Sequence, residues 1–342
     1  MTNGKPPSTS DSPATHISVP VTLGDAGRAV LLKHWQRALR HEAGARTGED
    51  IEDVHRMRVA TRRLRSAFRF FGAYVGLLHQ DEIIAGLRVL AQRLGAVRDL
   101  DVLIARLDQE ADADSPDRAT IDAIVAALDG DRTRTRADLV AFLDGRAMAT
   151  LRAQVADGFT QPASRSPANR DRPVHEAGPR LLARRAARAL AGEADLLAPT
   201  SDELHDLRIR CKRLRYAAEF LLPYTQGKRL KQLIRLATAL QDVLGELHDG
   251  DVMLDTLRSL VESASQQNGV SLPGIESAAV IRLLARQSDR RDALLLQFRS
   301  LWREFAGGRR QWRRKRLGQW FIGPTDGLAG HVSRAEAVVP GN

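Results

Sequence analysis

The chain contains one pattern twice. VHRMRVATRRLR at residues 54–65 returns as LHDLRIRCKRLR at 204–215, and LGAVRDLDV at 94–102 returns as LGELHDGDV at 244–252. Both pairs keep an offset of 150 residues, so His55 falls on His205, Arg58 on Arg208 and Arg62 on Lys212. Arg63 likewise falls on Arg213, Arg65 on Arg215, Gly95 on Gly245, Asp99 on Asp249 and Asp101 on Asp251. Two separate blocks that hold one register without insertion make the chain two copies of one folding unit.

That unit is helical. Alternating apolar runs bounded by turn residues are absent, aromatics make up only 5%, and Ala, Leu and Arg abound, which favours helix over strand. Breaks fall at ADADSPDR (111–118), at the Pro/Ser-rich stretch GFTQPASRSPANRDRPVHEAGP (158–179) and near ASQQNGVSLPG (264–274). The expected organisation is a disordered leader over 1–22, a first helical repeat over 23–157, a linker over 158–178, a second repeat over 179–306 and a basic tail over 307–342. The fold class is all-α. Residues 1–20 have no apolar signal-peptide core, and nowhere do about 18 apolar residues run together, so a cytoplasmic protein without a membrane span is expected. With one cysteine, Cys211, there is no internal disulfide framework. The cysteine reads as a small packing residue.

Charge placement carries the functional reading. The net charge of +10 points to polyanions: nucleic acid, an anionic surface or a phosphate chain. On a helix, Arg58, Arg62, Arg65 and Arg69 all fall within roughly 80° on one side of His55. Met57, Ala60, Leu64, Ala67, Phe68 and Phe71 take the opposite, core-facing side. Between residues 54 and 80 there is no acidic residue to neutralise the column from its own helix. The second copy sets His205, Arg208, Lys212 and Arg215 against Leu207, Leu214, Ala217 and Leu221, diluted by Asp206 and by Glu219, which stands where the first copy has Arg69. Guanidiniums at i, i+3 and i+7 form a row suited to successive phosphates. The histidine leading each column reads as a further ligand contact whose imidazolium form a phosphate would favour.

The acidic blocks do not make a metal site, because carboxylates two residues apart face different sides of a helix. Gly95 and Gly245 read as ending or bending a helix, with Asp99 and Asp249 capping the next or pairing with an arginine of the column. No nucleophile stands beside a base and no GxxxxGK[ST] phosphate loop occurs, so a non-enzymatic binding protein without cofactor or metal is expected.

At these residues the chain resembles the CHAD family, the histidine-containing α-helical domain. H-x-x-R-V-x-x-R-R-L-R at residues 55–65 with L-G-x-V-R-D-L-D-V at 94–102 is similar to its first half, and H-x-x-R-I-x-x-K-R-L-R-Y-x-x-E at 205–219 to its second. The resemblance implies two pseudo-symmetric antiparallel four-helix bundles around a basic central cavity that binds inorganic polyphosphate, and association with polyphosphate granules. The candidate polyphosphate-binding residues are His55, Arg58, Arg62, Arg63, Arg65, Arg69, His205, Arg208, Lys212, Arg213 and Arg215. No E-x-E-x-K strand of a fused triphosphate-tunnel domain is present, so its hydrolytic activity is not expected. His248 stands where the family's second half often has Asn. The competing expectation is a nucleic-acid-binding helical protein that uses the same faces, with Trp312 and Trp320 of the tail stacking on bases.

Overall fold

The computed structural model describes residues 21–110, 115–161, 167–191, 199–225, 227–266 and 275–321. Helices α1 (Leu23–Arg40), α2 (Glu42–Thr47), α3 (Ile51–Val75), α4 (Gln80–Asp108), α5 (Arg118–Asp144) and α6 (Arg146–Thr160) form the first half. Helices α7 (Val174–Leu190), α8 (Ser201–Leu221), α9 (Lys228–Gln266) and α10 (Ser277–Gly307) form the second, followed by a 3-10 turn and α11 (Arg314–Gly318). Among the described residues the only extended pairings are two isolated bridges, Thr22 with Pro173 and Thr225 with Phe321. The expected all-α class holds.

The packing order α1–α3–α4–α5 recurs as α7–α8–α9–α10, with α3 against α8 where the halves meet. The first half adds α6, packed on α4 and α5, beyond the four helices the resemblance implies. Two caps set the shared register. Asp50 accepts the Glu52 amide at 2.8 Å to start α3. Thr200, 150 residues later, starts α8 through a reciprocal capping box with Glu203. Each histidine therefore enters five residues after its cap.

The apolar faces then do what their spacing requires. Met57, Ala60, Leu64, Ala67, Phe68 and Phe71 are buried, as are Leu207, Leu214, Ala217 and Leu221. At Gly27 the place of a Cβ lies 2.5 Å from Val75 Cγ1 and 2.8 Å from Phe71 Cβ, so α1 can approach α3 this closely only with glycine there.

A second, smaller core also joins the halves: Leu103 and Leu107 of α4, Ile121 and Ile124 of α5, Met253 and Leu257 of α9, Val280 and Leu283 of α10. Beside it, buried Asp117 is held by Arg282 and by Arg286, the latter at 3.0 Å.

Two boundaries differ from the sequence reading. Residues 1–20 of the expected leader lie outside the described residues, and α1 starts at Leu23, where the first repeat was expected to begin. Helix α7 begins at Val174, inside the stretch read as linker, and accommodates Pro179 in its early turns. The correction with most consequence concerns the tail. Residues 308–321 are not a free basic extension: Trp312, Leu317, Trp320 and Phe321 are all buried. The Trp312 ring lies 4.4 Å from that of Phe305, and α11 packs on α7. Both tryptophans are therefore core residues and cannot stack on bases. Residues 322–342 lie outside the described residues.

Candidate functional site

Helices α3 and α8 cross with their cationic columns turned towards one another. Lys212 of α8 lies within electrostatic reach of Arg62, Arg58 and Arg69 of α3 as well as Arg208 of its own helix. Arg208 likewise feels Arg62 and Arg58. Two helices 150 residues apart in sequence thus bring their like charges to one place.

These cations are only partly neutralised. Asp99 of α4 takes Arg58 at 3.0 Å, the pairing expected for it. Asp249 behaves differently: it pairs at 3.4 Å with Arg106 across the halves, while its field still reaches Arg208 and Arg58. Glu219 takes Arg63 at 2.9 Å and lies 3.6 Å from Arg215. Arg63 and Arg215 also lie 5.3 and 5.2 Å from the Tyr216 ring centroid. They therefore stand on the crossing's flank, engaged within the protein. Among the described residues, Arg62, Arg65, Arg69, Arg208, Lys212 and Arg213 have no carboxylate within 4 Å. The Nε atoms of Arg62 and Arg208 are buried without a hydrogen-bond partner.

Unbalanced charge in a half-buried place shifts protonation. Burial, then the fields of Arg62, Arg208, Arg58 and Arg69, pushes the Lys212 ammonium down from 10.5 to about 7. Burial and then Arg98 lower the His55 imidazole below its ordinary 6.5. The guanidiniums of Arg58 and Arg208 are lowered as well, chiefly by burial.

Gly95 and Gly245 do not end a helix; α4 and α9 continue through them. Instead each lies beneath an arginine of the column. The place of a Cβ on Gly95 is 3.7 Å from Arg58 Nε, and on Gly245 it is 3.8 Å from Arg208 Nε. The two halves build the same contact from the same motif. Asp99 and Asp249 accordingly cap nothing, being interior to their helices. Asp101 and Asp251 are turned to other partners: Asp101 is buried near Arg132 at 3.8 Å, and Asp251 pairs with Arg291 at 2.8 Å. Among the described residues no group of three His, Cys, Asp or Glu side chains could hold a metal ion.

Some members of the cluster escaped the sequence reading. Arg98 of α4 stands close enough to His55 and Arg58 to lower both. Its counterpart 150 residues on is His248, whose ring lies 4.7 Å from that of His205. The signal was present, since the LGxx[RH]DxD motif carries a nitrogenous side chain there in both copies. Arg185 of α7 and Arg88 of α4, which act on Arg69, had no motif to mark them. Cys211 is buried and its thiol is pushed up to about 12 by desolvation, in keeping with a packing role.

Comparison with known proteins bears on the family and the fold. A family model described as the CHAD domain matches residues 29–258. The crystal structure of the CHAD domain from the plant Ricinus communis superposes with a TM-score of 0.60 at 27% identity, covering 83% of this chain and 92% of that one. PptA from Streptomyces chartreusis superposes with a TM-score of 0.58, covering 83% of this chain and 100% of that one; at 16% identity it bears on the fold alone. An uncharacterised protein of Mycobacterium tuberculosis, represented in two strains, is 32% identical over 190 residues, 54% of this chain. The match spans only 36% of that relative's length.

Proposed function

The chain belongs to the CHAD domain family, and from that premise we propose that it binds inorganic polyphosphate without turning it over. The observation that carries this reading is the meeting of Arg62, Arg208 and Lys212 from two helices with no carboxylate of the described residues within 4 Å of any of them. Cations gathered without counter-ions repel one another, and a linear polyanion relieves that repulsion. Arg58, Arg65, Arg69 and Arg213 extend the row, and His55 and His205 stand at its ends. Each charge-assisted hydrogen bond contributes about 1.5–3 kcal/mol, so several in sequence give tight binding with no reaction. Through the same contact the protein would gather on polyphosphate granules.

Binding should take up protons. Lys212, at about 7 in the free protein, and His55, below 6.5, are largely neutral in slightly alkaline solution. A phosphate chain raises both values. Affinity is then greatest below the free-protein value and falls as pH rises from about 7 towards the higher value in the complex. Internal phosphates of a long chain do not titrate in this range, so the protons belong to the protein. Calorimetric titration with long-chain polyphosphate, in buffers of different ionisation enthalpy near pH 8, should report close to one proton taken up per site. The logarithm of the affinity should also fall linearly with that of salt concentration. An affinity flat between pH 6 and 9 would remove Lys212 and His55 from the ligand contact, and absence of binding at low salt would end the proposal.

A further inference from the structure

The 150-residue register supplies an internal comparison between the two flanks of the α3–α8 crossing. On one flank Arg63 of α3 meets Glu219 of α8 at 2.9 Å, and position 35 of α1 is a buried tryptophan. On the other flank the register replaces Arg63 by Arg213, Glu219 by Arg69 and Trp35 by Arg185. A neutralised pair thereby becomes three guanidiniums.

These three arginines stand around a shallow, solvent-open notch walled by Phe70, Tyr216 and Phe220. Arg185 donates to the Arg69 carbonyl at 3.2 Å and lies 5.9 Å from the Phe70 ring centroid, which holds its head against the α3 backbone at Arg69. None of the three has a carboxylate within 4 Å among the described residues. Burial first lowers both Arg69 and Arg185, followed by Arg213 and Arg88 for the former and by Arg188, Arg213 and Arg69 for the latter. The aromatic rings are buried in the wall and offer no face to a base. What the notch can read is charge. It adjoins the main cluster, because the field of Arg69 reaches Lys212.

We propose that this notch seats the terminal phosphoryl group of a polyphosphate chain whose internal phosphates lie along Arg58, Arg62, Arg208 and Lys212. The inference rests on the polyphosphate reading and adds to it a preference for chain ends. An internal phosphate carries one charge and two non-bridging oxygens. A terminal one carries up to two charges near neutrality and three such oxygens, matching three forked donors.

The test compares one short polyphosphate with free ends and the same polymer capped at both ends by a neutral alkylamine through phosphoramidate bonds. The full-length protein should bind the free-ended polymer about tenfold more tightly, the equivalent of one good ionic contact. Arg185→Gln should bind the two alike. Arg69→Glu should also lose the preference, and by restoring a carboxylate for Arg213 it should melt no lower than the parent, which shows that the fold is intact. Equal affinity of the parent protein for both polymers would overturn the end-group inference and leave the polyphosphate reading standing. A preference that survives both substitutions would overturn it as well. Binding of neither polymer would overturn both.

Discussion

A variant carrying Arg62→Met and Lys212→Met should lose polyphosphate affinity by about a thousandfold and yet unfold at a higher temperature than the parent. The loss follows from two charge-assisted contacts worth about 1.5–3 kcal/mol each. The gain follows from the apolar isosteres, which keep the stems that pack the crossing and remove half-buried charges with no counter-ion. The sign of the pH dependence is fixed. The folded-state value for Lys212 is depressed from 10.5 to about 7, so between these values the unfolded chain binds more protons and stability rises with pH. The burden of the charged ammonium is therefore complete below about pH 7 and fades towards pH 10. After discounting for partial exposure, its removal should stabilise the protein by on the order of 2 kcal/mol at pH 6 and by little at pH 10. Denaturant unfolding at the two pH values, beside calorimetric titration, measures both effects. A variant that binds poorly and is also less stable at pH 6 would show that these cations serve the fold.

Removing residues 307–342 should abolish stable folding; a modest weakening of polyanion binding is not the expected result. The deletion takes away Trp312, Leu317, Trp320 and Phe321 together, all buried. The single change Trp312→Ala should already cost about 3–5 kcal/mol, the usual range for emptying a large aromatic site. It leaves Phe305, 4.4 Å away, and Gly308 facing a void. Thermal unfolding and near-ultraviolet circular dichroism report both outcomes. A truncated protein that melts like the full chain would return these residues to the status of an appendage.

That contrast shows what could be read from residue order. The faces of α3 and α8 were legible because a helix repeats every 3.6 residues and the apolar positions obey that period in both copies. The meeting of the columns was what the family resemblance implied; the repeat by itself supplied two similar columns and not their contact. The segment after α10 was misread because RRQWRRKRLGQW is dense in charge, and charge density does not reveal where two tryptophans point. Glycine was misread for a related reason: Gly95 and Gly245 look like breaks, but their use is lateral, under a guanidinium from another helix. Arg185 was illegible in principle. Its importance arises from its neighbours, and its counterpart at the 150-residue offset, Trp35, shares nothing with it.

The small second apolar core, with Asp117 gripped by Arg282 and Arg286, has a mechanical consequence. Facing rows of positive charge would drive two hinged halves apart if they met only at the α3–α8 crossing. Bracing them through a second apolar core holds the rows at a set spacing before any anion arrives. The incoming chain then meets donors already in position, and little of its binding energy is spent on closing a gap.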